Sequence, residues 1–271
     1  PGDICHGRTV SEVVQSRMDT YAEGDIVFNT NGWQAWGLTG VNIDAFGYMF
    51  PRKIDPDLAP ISTAIGVMGM LGLTAYAGLV VQCEPKPGET LVVSAASGGV
   101  GQVVCQLGRL YGCRVVAIAG SDEKLEYLKT LGVDAAVSHR SPSFAAELRQ
   151  ACPDGCDIYF ENVGGAVFDG VLPLLNVHSR ISLCGLISQY GNEEGQDPRS
   201  LWRTHGNAVF ERNRVAVHDL FVGNFVAEHQ DRFLEEMGGY LRAGDIRYLE
   251  DKRPGLELSL IHISEPTRPL R

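Results

Sequence analysis

"LVVSAASGGVGQVVCQLGRL", residues 91–110, passes from an apolar run through a glycine cluster into apolar residues at helical spacing. "TLVVSA" (90–95) reads as a strand, and "GVGQVVCQLGRLYG" (99–112) reads as a helix. Gly98, Gly99 and Gly101 sit on the hinge between them. Glycine there lets the backbone turn tightly and approach a pyrophosphate, while the helix N-terminus with Val100 offers free N–H donors and partial positive charge. The string is A-x-x-G-x-x-G rather than G-x-G-x-x-G, so its placement within a strand–turn–helix unit carries the inference. An ordinary turn between strand and helix is the plain alternative.

Outward from this hinge, strands and helices alternate. "RVVAIAG" (114–120), "DAAVSH" (134–139), "DIYFENVGG" (157–165), "SRISLCG" (179–185) and "RVAVHDLFVG" (214–223) read as strands. "SDEKLEYLKTLG" (121–132), "SFAAELRQAC" (143–152) and "AVFDGVLPLL" (166–175) read as the helices between them. The strands are continuous apolar runs, as expected when both faces are covered, so the expected class is α/β with a doubly wound parallel sheet. The N-terminal part differs: "TVSEVVQS" (9–16), "GDIVFNT" (24–30) and "WQAWGLT" (33–39) read as short strands of a small β domain. A helix, "EHQDRFLEEMGGYLRAG" (228–244), leads back towards it.

The bulk composition excludes several functions. Charged residues are 21% of the chain and the formal net charge is −10, with no basic run, which argues against nucleic acid as a partner. The seven Cys are odd in number and mostly lie in apolar runs, as in a reduced, cytoplasmic protein. Cys152 and Cys156 in "CPDGC" lack a second pair at zinc-site spacing, so no metal is expected. "ISTAIGVMGMLGLTAYAGLVVQ" (61–82) approaches the length of a membrane span. Four glycines and four hydroxyl side chains within it make a broken, buried helix the better reading. "LSLIHISEPTR" (258–268) resembles the translation of a sequencing-library adapter, and 258–271 is set aside from the fold.

Cofactor preference is read at the end of the second strand of the unit. An NAD site places a carboxylate there for the ribose hydroxyls, but this strand ends Ala119-Gly120. Lys124, one turn into the next helix, can meet a 2′-phosphate, although Asp122 and Glu123 weaken that inference. Asn162, Cys184, Gly185, Ser188 and Tyr190 follow the ends of other strands and are expected to face the same crevice. A Tyr there can donate to an oxygen on which charge develops, or it can be a plain loop aromatic.

"AASGGVG", "GSDEK", "FENVGG" and "CGLISQY", in this order, resemble the zinc-free double-bond reductases of the medium-chain dehydrogenase/reductase superfamily. "GVMGMLGLTAYAGL" (66–79) is also similar to that group's entry to its cofactor domain. The resemblance implies a partial GroES-like β domain over 1–61, a Rossmann domain over 62–225 and a return segment over 226–257. It implies NADPH as cofactor, enone or enal substrates, and a homodimer at full length. By the same resemblance, Gly98, Gly99, Val100 and Gly101 hold the pyrophosphate, and Lys124 with His139 the 2′-phosphate. Asn162, Cys184, Gly185, Leu186, Ile187, Ser188, Phe221, Val222 and Gly223 line ribose and nicotinamide, and Tyr190 is catalytic. Leu71 stands where relatives usually have Pro, implying a less rigid loop. Both ends of the family pattern are missing, so the chain alone is expected to aggregate, bind NADPH weakly and reduce no enone. A quinone reductase or zinc alcohol dehydrogenase on the same fold, and a non-enzymatic NADPH-binding protein, are the alternatives.

Overall fold

The computed structural model describes residues 4–39, 49–189, 197–252 and 255. A three-stranded antiparallel sheet comes first: β1 (Thr9–Glu12), β2 (Ile26–Asn29) and β3 (Arg52–Lys53), in that spatial order. "WQAWGLT" forms no strand; the third strand is instead the two-residue β3, paired with Val27 and Phe28. The Gln34 side chain donates to the Asn31 carbonyl at 2.9 Å, so a turn takes residues that composition alone assigns to a strand.

The chain then enters the expected broken helix. A 3-10 turn (Ile61–Ile65) precedes α1 (Met70–Tyr76), which runs on into a π-helical turn (Ala77–Gln82). Gly78 allows that turn to lie on the larger sheet, since a Cβ there would stand 2.5 Å from Ser182 Oγ and 2.6 Å from the Phe160 ring. Among the described residues no helix is long and apolar enough to cross a membrane.

The larger sheet begins with β4 (Thr90–Val93), followed by α2 (Gly101–Leu110), β5 (Arg114–Ala119), α3 (Asp122–Thr130) and β6 (Ala135–Ser138). Next come α4 (Phe144–Ala151), β7 (Cys156–Glu161), α5 (Gly165–Val171), β8 (Leu175–Leu183), α6 (Pro198–Asn213), β9 (Ala216–Asp219) and α7 (Val226–Ala243). All six strands β4–β9 are parallel, in the order β6-β5-β4-β7-β8-β9. This is the doubly wound Rossmann arrangement, whose order reverses between β4 and β7 and opens a crevice at their carboxyl ends. β4 is wholly buried and β5 nearly so, which is why neither shows polar alternation.

One long element, α6, has no counterpart in the sequence reading. Its start carries a clear signal: Asp197 is the N-cap, accepting from the Arg199 and Ser200 N–H groups at 3.1 Å, and Pro198 opens the first turn.

Two contacts join the small sheet to the helices beside it. Arg52 lies over the Phe28 ring and donates to the Met68 carbonyl at 2.7 Å. The Phe50 N–H donates to the buried Gln230 side chain of α7 at 2.9 Å.

Candidate active site at the carboxyl ends of the parallel strands

The glycine turn starts where β4 ends. Ala95 adopts a left-handed conformation (φ 46°), and the Gly98 N–H closes back on its carbonyl at 3.0 Å. Glycine at 101 follows from close packing, because a Cβ there would lie 2.7 Å from the Ala96 Cα. No side chain caps α2 at Val100. Among the described residues, the N–H groups of Gly99, Val100 and Gly101 donate no hydrogen bond, leaving the first-turn donors to an anion. Leu71 lies within α1 beside the turn, its Cδ1 2.7 Å from where a Cβ on Gly99 would stand.

At the end of β5, Gly120 supplies no carboxylate for ribose hydroxyls. The side chains of His139 and Arg140 crowd the position instead: a Cβ on Gly120 would stand 2.7 Å from His139 Nε2 and 3.3 Å from Arg140 Nε. The His139 N–H donates to the Ala119 carbonyl at 3.0 Å, holding the exit of β6 beside β5. Burial keeps the His139 imidazole below its usual 6.5, and the charges of Arg140 and Lys124 act in the same direction. Lys124 lies in the first turn of α3, where Ser121 is the N-cap. Lys124 and Arg140 are thus the cations beside His139, whose imidazole serves as a hydrogen-bonding group. Arg140 was missed by the sequence reading, although its place next to His139 past a strand end was the available signal.

At the reversal between β4 and β7, Asn162 is fixed twice to Ser94. Its N–H donates to Ser94 Oγ and its side-chain amide to the Ser94 carbonyl, both at 2.7 Å. Beneath it lies Glu161, fully buried. Its Oε1 accepts from Ser94 Oγ (3.0 Å), the Tyr159 hydroxyl (2.8 Å) and the N–H groups of Val163 (2.8 Å) and Gly164 (3.1 Å). Its Oε2 accepts from the Trp202 indole at 3.2 Å. Burial raises the Glu161 carboxyl above its usual 4.5, opposed by the donors from Val163, Gly164, Tyr159 and Ser94. Sequence reading passed over Glu161 because a buried carboxylate inside an apolar strand shows no pattern until its donors are in place.

The two predicted loop runs continue the strand pairing beyond the sheet. Cys184 and Gly185 donate to the Glu161 carbonyl at 2.9 and 3.0 Å, Ile187 to Asn162 at 3.1 Å and Ser188 to Val163 at 3.1 Å. Leu186 is buried, while Ile187 is exposed. Burial pushes the Cys184 thiol up to about 12, so it stays a neutral wall. Leu220 donates to the Leu183 carbonyl at 3.1 Å, bringing Phe221, Val222 and Gly223 alongside this run. Tyr190 lies outside the described residues.

The chain's relatives share this architecture. The NADPH-dependent curcumin reductase of Escherichia coli is 41% identical over 260 residues, covering 94% of this chain and 72% of that protein. The NADP(+)-dependent 2-alkenal reductase of Nicotiana tabacum is 37% identical, with 95% and 72% covered. The chain belongs to the curcumin, prostaglandin and alkenal reductase group of the medium-chain dehydrogenase/reductase superfamily. The crystal structure of CurA from Vibrio vulnificus in complex with NADPH matches this chain with a TM-score of 0.80 at 40% identity. That match covers 94% of this chain and 73% of CurA. Residues 99–227 also match the family described as zinc-binding dehydrogenase. Among the described residues, no three His, Cys, Asp or Glu side chains of the reductase gather as metal ligands.

Proposed function

We propose that the chain binds NADPH across the carboxyl ends of β4–β9, weakly and without enone turnover by itself, and that the full-length protein carrying it reduces the C=C bond of α,β-unsaturated ketones or aldehydes. The observation that carries cofactor choice is the surrounding of Gly120: no acid stands at 120, and Lys124, His139 and Arg140 lie together beside it. The double-bond chemistry is supported by relatives named for curcumin, 2-alkenal and (+)-pulegone reduction.

When bound, the cofactor supplies the hydride that adds to the substrate's β-carbon. Gly99, Val100 and Gly101 would hold the pyrophosphate with backbone donors on the turn that Gly98 closes, and Lys124, His139 and Arg140 would hold the 2′-phosphate. Asn162, the run Cys184–Ser188 and Phe221, Val222 and Gly223 line the ribose and nicotinamide and keep water from the reacting carbons. Negative charge collects on the substrate carbonyl oxygen. Tyr190 donates a hydrogen bond to that oxygen, directly or through the ribose hydroxyl, and a proton reaches the α-carbon. Residues 1–61 act as a β domain, 62–225 as the cofactor domain and 226–257 as the return between them. Among the described residues β9 is the last strand on its side of the sheet, an open edge at which a second copy would pair to give a homodimer. The seven unpaired thiols suit the reducing cytoplasm.

The test is a fluorescence titration of this chain with NADPH and NADH, followed by an NADPH-oxidation screen of the complete reading frame over enones, enals and quinones. Saturable NADPH binding and turnover of enones or enals are expected. Turnover confined to quinones overturns the double-bond reading, and binding without any turnover makes the protein a non-enzymatic NADPH binder.

A further inference from the structure

We propose that Gln102 and Gln106 form a two-rung ladder on α2 that positions residues 247–252 against the glycine turn, so that this segment and a bound dinucleotide hold each other in place. The proposal rests on the reading of that turn as a pyrophosphate site. It concerns positioning residues, neither of which touches the reacting atoms.

Both glutamines are buried within α2, where a side-chain amide must find partners. Four residues apart, they share one face of the helix and are separated by about 6 Å of rise. Residues 247 and 249 of an extended chain are separated by about 6.6 Å. The two repeats therefore match rung for rung.

At the first rung, Gln106 Oε1 accepts from the Arg247 N–H at 2.7 Å, and its Nε2 donates to the Arg247 carbonyl at 2.8 Å. A side-chain amide thus takes the place of a paired strand. At the second rung, Gln102 Oε1 accepts from the Tyr127 hydroxyl at 2.6 Å and from the Leu249 N–H at 3.4 Å. Because 247 lies on the later rung and 249 on the earlier one, the segment runs antiparallel to α2, towards the helix N-terminus. Its continuation reaches the glycine turn, where Glu250 and Lys252, with Leu71 and Gly99, line a cavity of about 270 Å³.

The charges in that wall are the carboxylates of Glu250 and Asp251 and the ammonium of Lys252. Ser62 Oγ donates to Glu250 Oε2 at 2.8 Å, and Lys252 Nζ lies 3.0 Å from the same oxygen. A bare carboxylate beside a pyrophosphate would repel it, and this pairing of Glu250 reduces that repulsion.

Hydrogen exchange of residues 245–252, read with and without each cofactor, tests the coupling in the wild-type chain and in Gln106→Leu and Gln106→Glu. Leucine keeps the volume and removes both bonds; glutamate keeps the acceptor and removes the donor. NADPH and NADH should each slow exchange of this segment about tenfold in the wild type, the size of one or two hydrogen bonds. In Gln106→Leu that protection should vanish and both cofactors should bind about fivefold more weakly. Their affinity ratio should stay unchanged because the pyrophosphate is common to both. Gln106→Glu should fall between. Bound cofactor that leaves exchange of 245–252 unaltered in the wild type overturns the coupling, whether or not the leucine variant folds. Wild-type affinity and protection in a folded Gln106→Leu overturn it as well. If the wild type binds neither cofactor, the functional reading fails and the coupling fails with it.

Discussion

Gly120 follows β5 without a carboxylate, and His139 Nε2 stands 2.7 Å from where its Cβ would be, with Arg140 beside it and the Lys124 charge acting on the same imidazole. Losing one charge-assisted phosphate contact costs about 1.5–3 kcal/mol. Lys124→Ala should therefore raise the KM for NADPH about tenfold or more and leave NADH nearly unchanged. Steady-state kinetics with both cofactors checks this, and an equal rise for both would remove Lys124 from the 2′-phosphate site. For Tyr190 the expected loss lies in the chemical step. Tyr190→Phe should lower kcat about a hundredfold, as when an oxyanion donor is removed. NADPH affinity, followed by fluorescence, should barely move; undiminished turnover would give the oxygen to another group.

At the scale of elements, the strand–turn–helix unit depends on how closely α2 meets β4. Gly101→Ala places a methyl 2.7 Å from the Ala96 Cα, a backbone atom that cannot rotate away. Overpacking of this kind costs about 1–3 kcal/mol, and the turn must shift to absorb it. The midpoint of urea unfolding should fall, and NADPH binding should be lost together with it. An alanine variant that keeps wild-type affinity would show that the turn needs no close approach. The reading of 61–82 as a broken, buried helix agrees with the 3-10, α and π segments found there. α6 is not legible because its C-terminal part, "RTHGNAVFERN" (203–213), is polar over most of its surface; Trp202 and Gly206 are the buried residues of the helix. Its start could have been read from Asp197-Pro198.

Over the whole molecule, the two strand ends at the topological reversal are joined through Glu161. Its carboxyl is raised above 4.5 in the fold, so the native state holds a proton that the unfolded chain releases. The resulting stability is complete below pH 4.5 and declines as pH rises through the folded value. Glu161→Gln should abolish this decline, seen as a flatter plot of unfolding free energy against pH. An unchanged slope would assign the titration to another group. Trp36 and Leu38, in the irregular segment after β2, are 74% and 78% exposed. Large apolar side chains in contact with water favour association. Light scattering should rise with protein concentration and fall in the double variant Trp36→Ser, Leu38→Ser. Equal scattering from both would place the sticky surface elsewhere.

The sequence by itself determined the parallel α/β sheet, the glycine turn at 98–101 and the strand ends that carry Asn162, Cys184 and Phe221. Those features are local: buried strands need continuous apolar residues, and a tight turn into a helix needs glycine. The two-residue β3, the cationic group around Gly120, the donors on Glu161 and the glutamine ladder were decided only by the tertiary structure. Gln106 is 141 residues from its partner Arg247, and Glu161 is 67 from Ser94 and 41 from Trp202. A buried amide or carboxylate has the same pattern in sequence whether its partners exist or not. Only closure of the chain brings the donors to it, and their presence turns a costly buried polar group into a fixed point of the site.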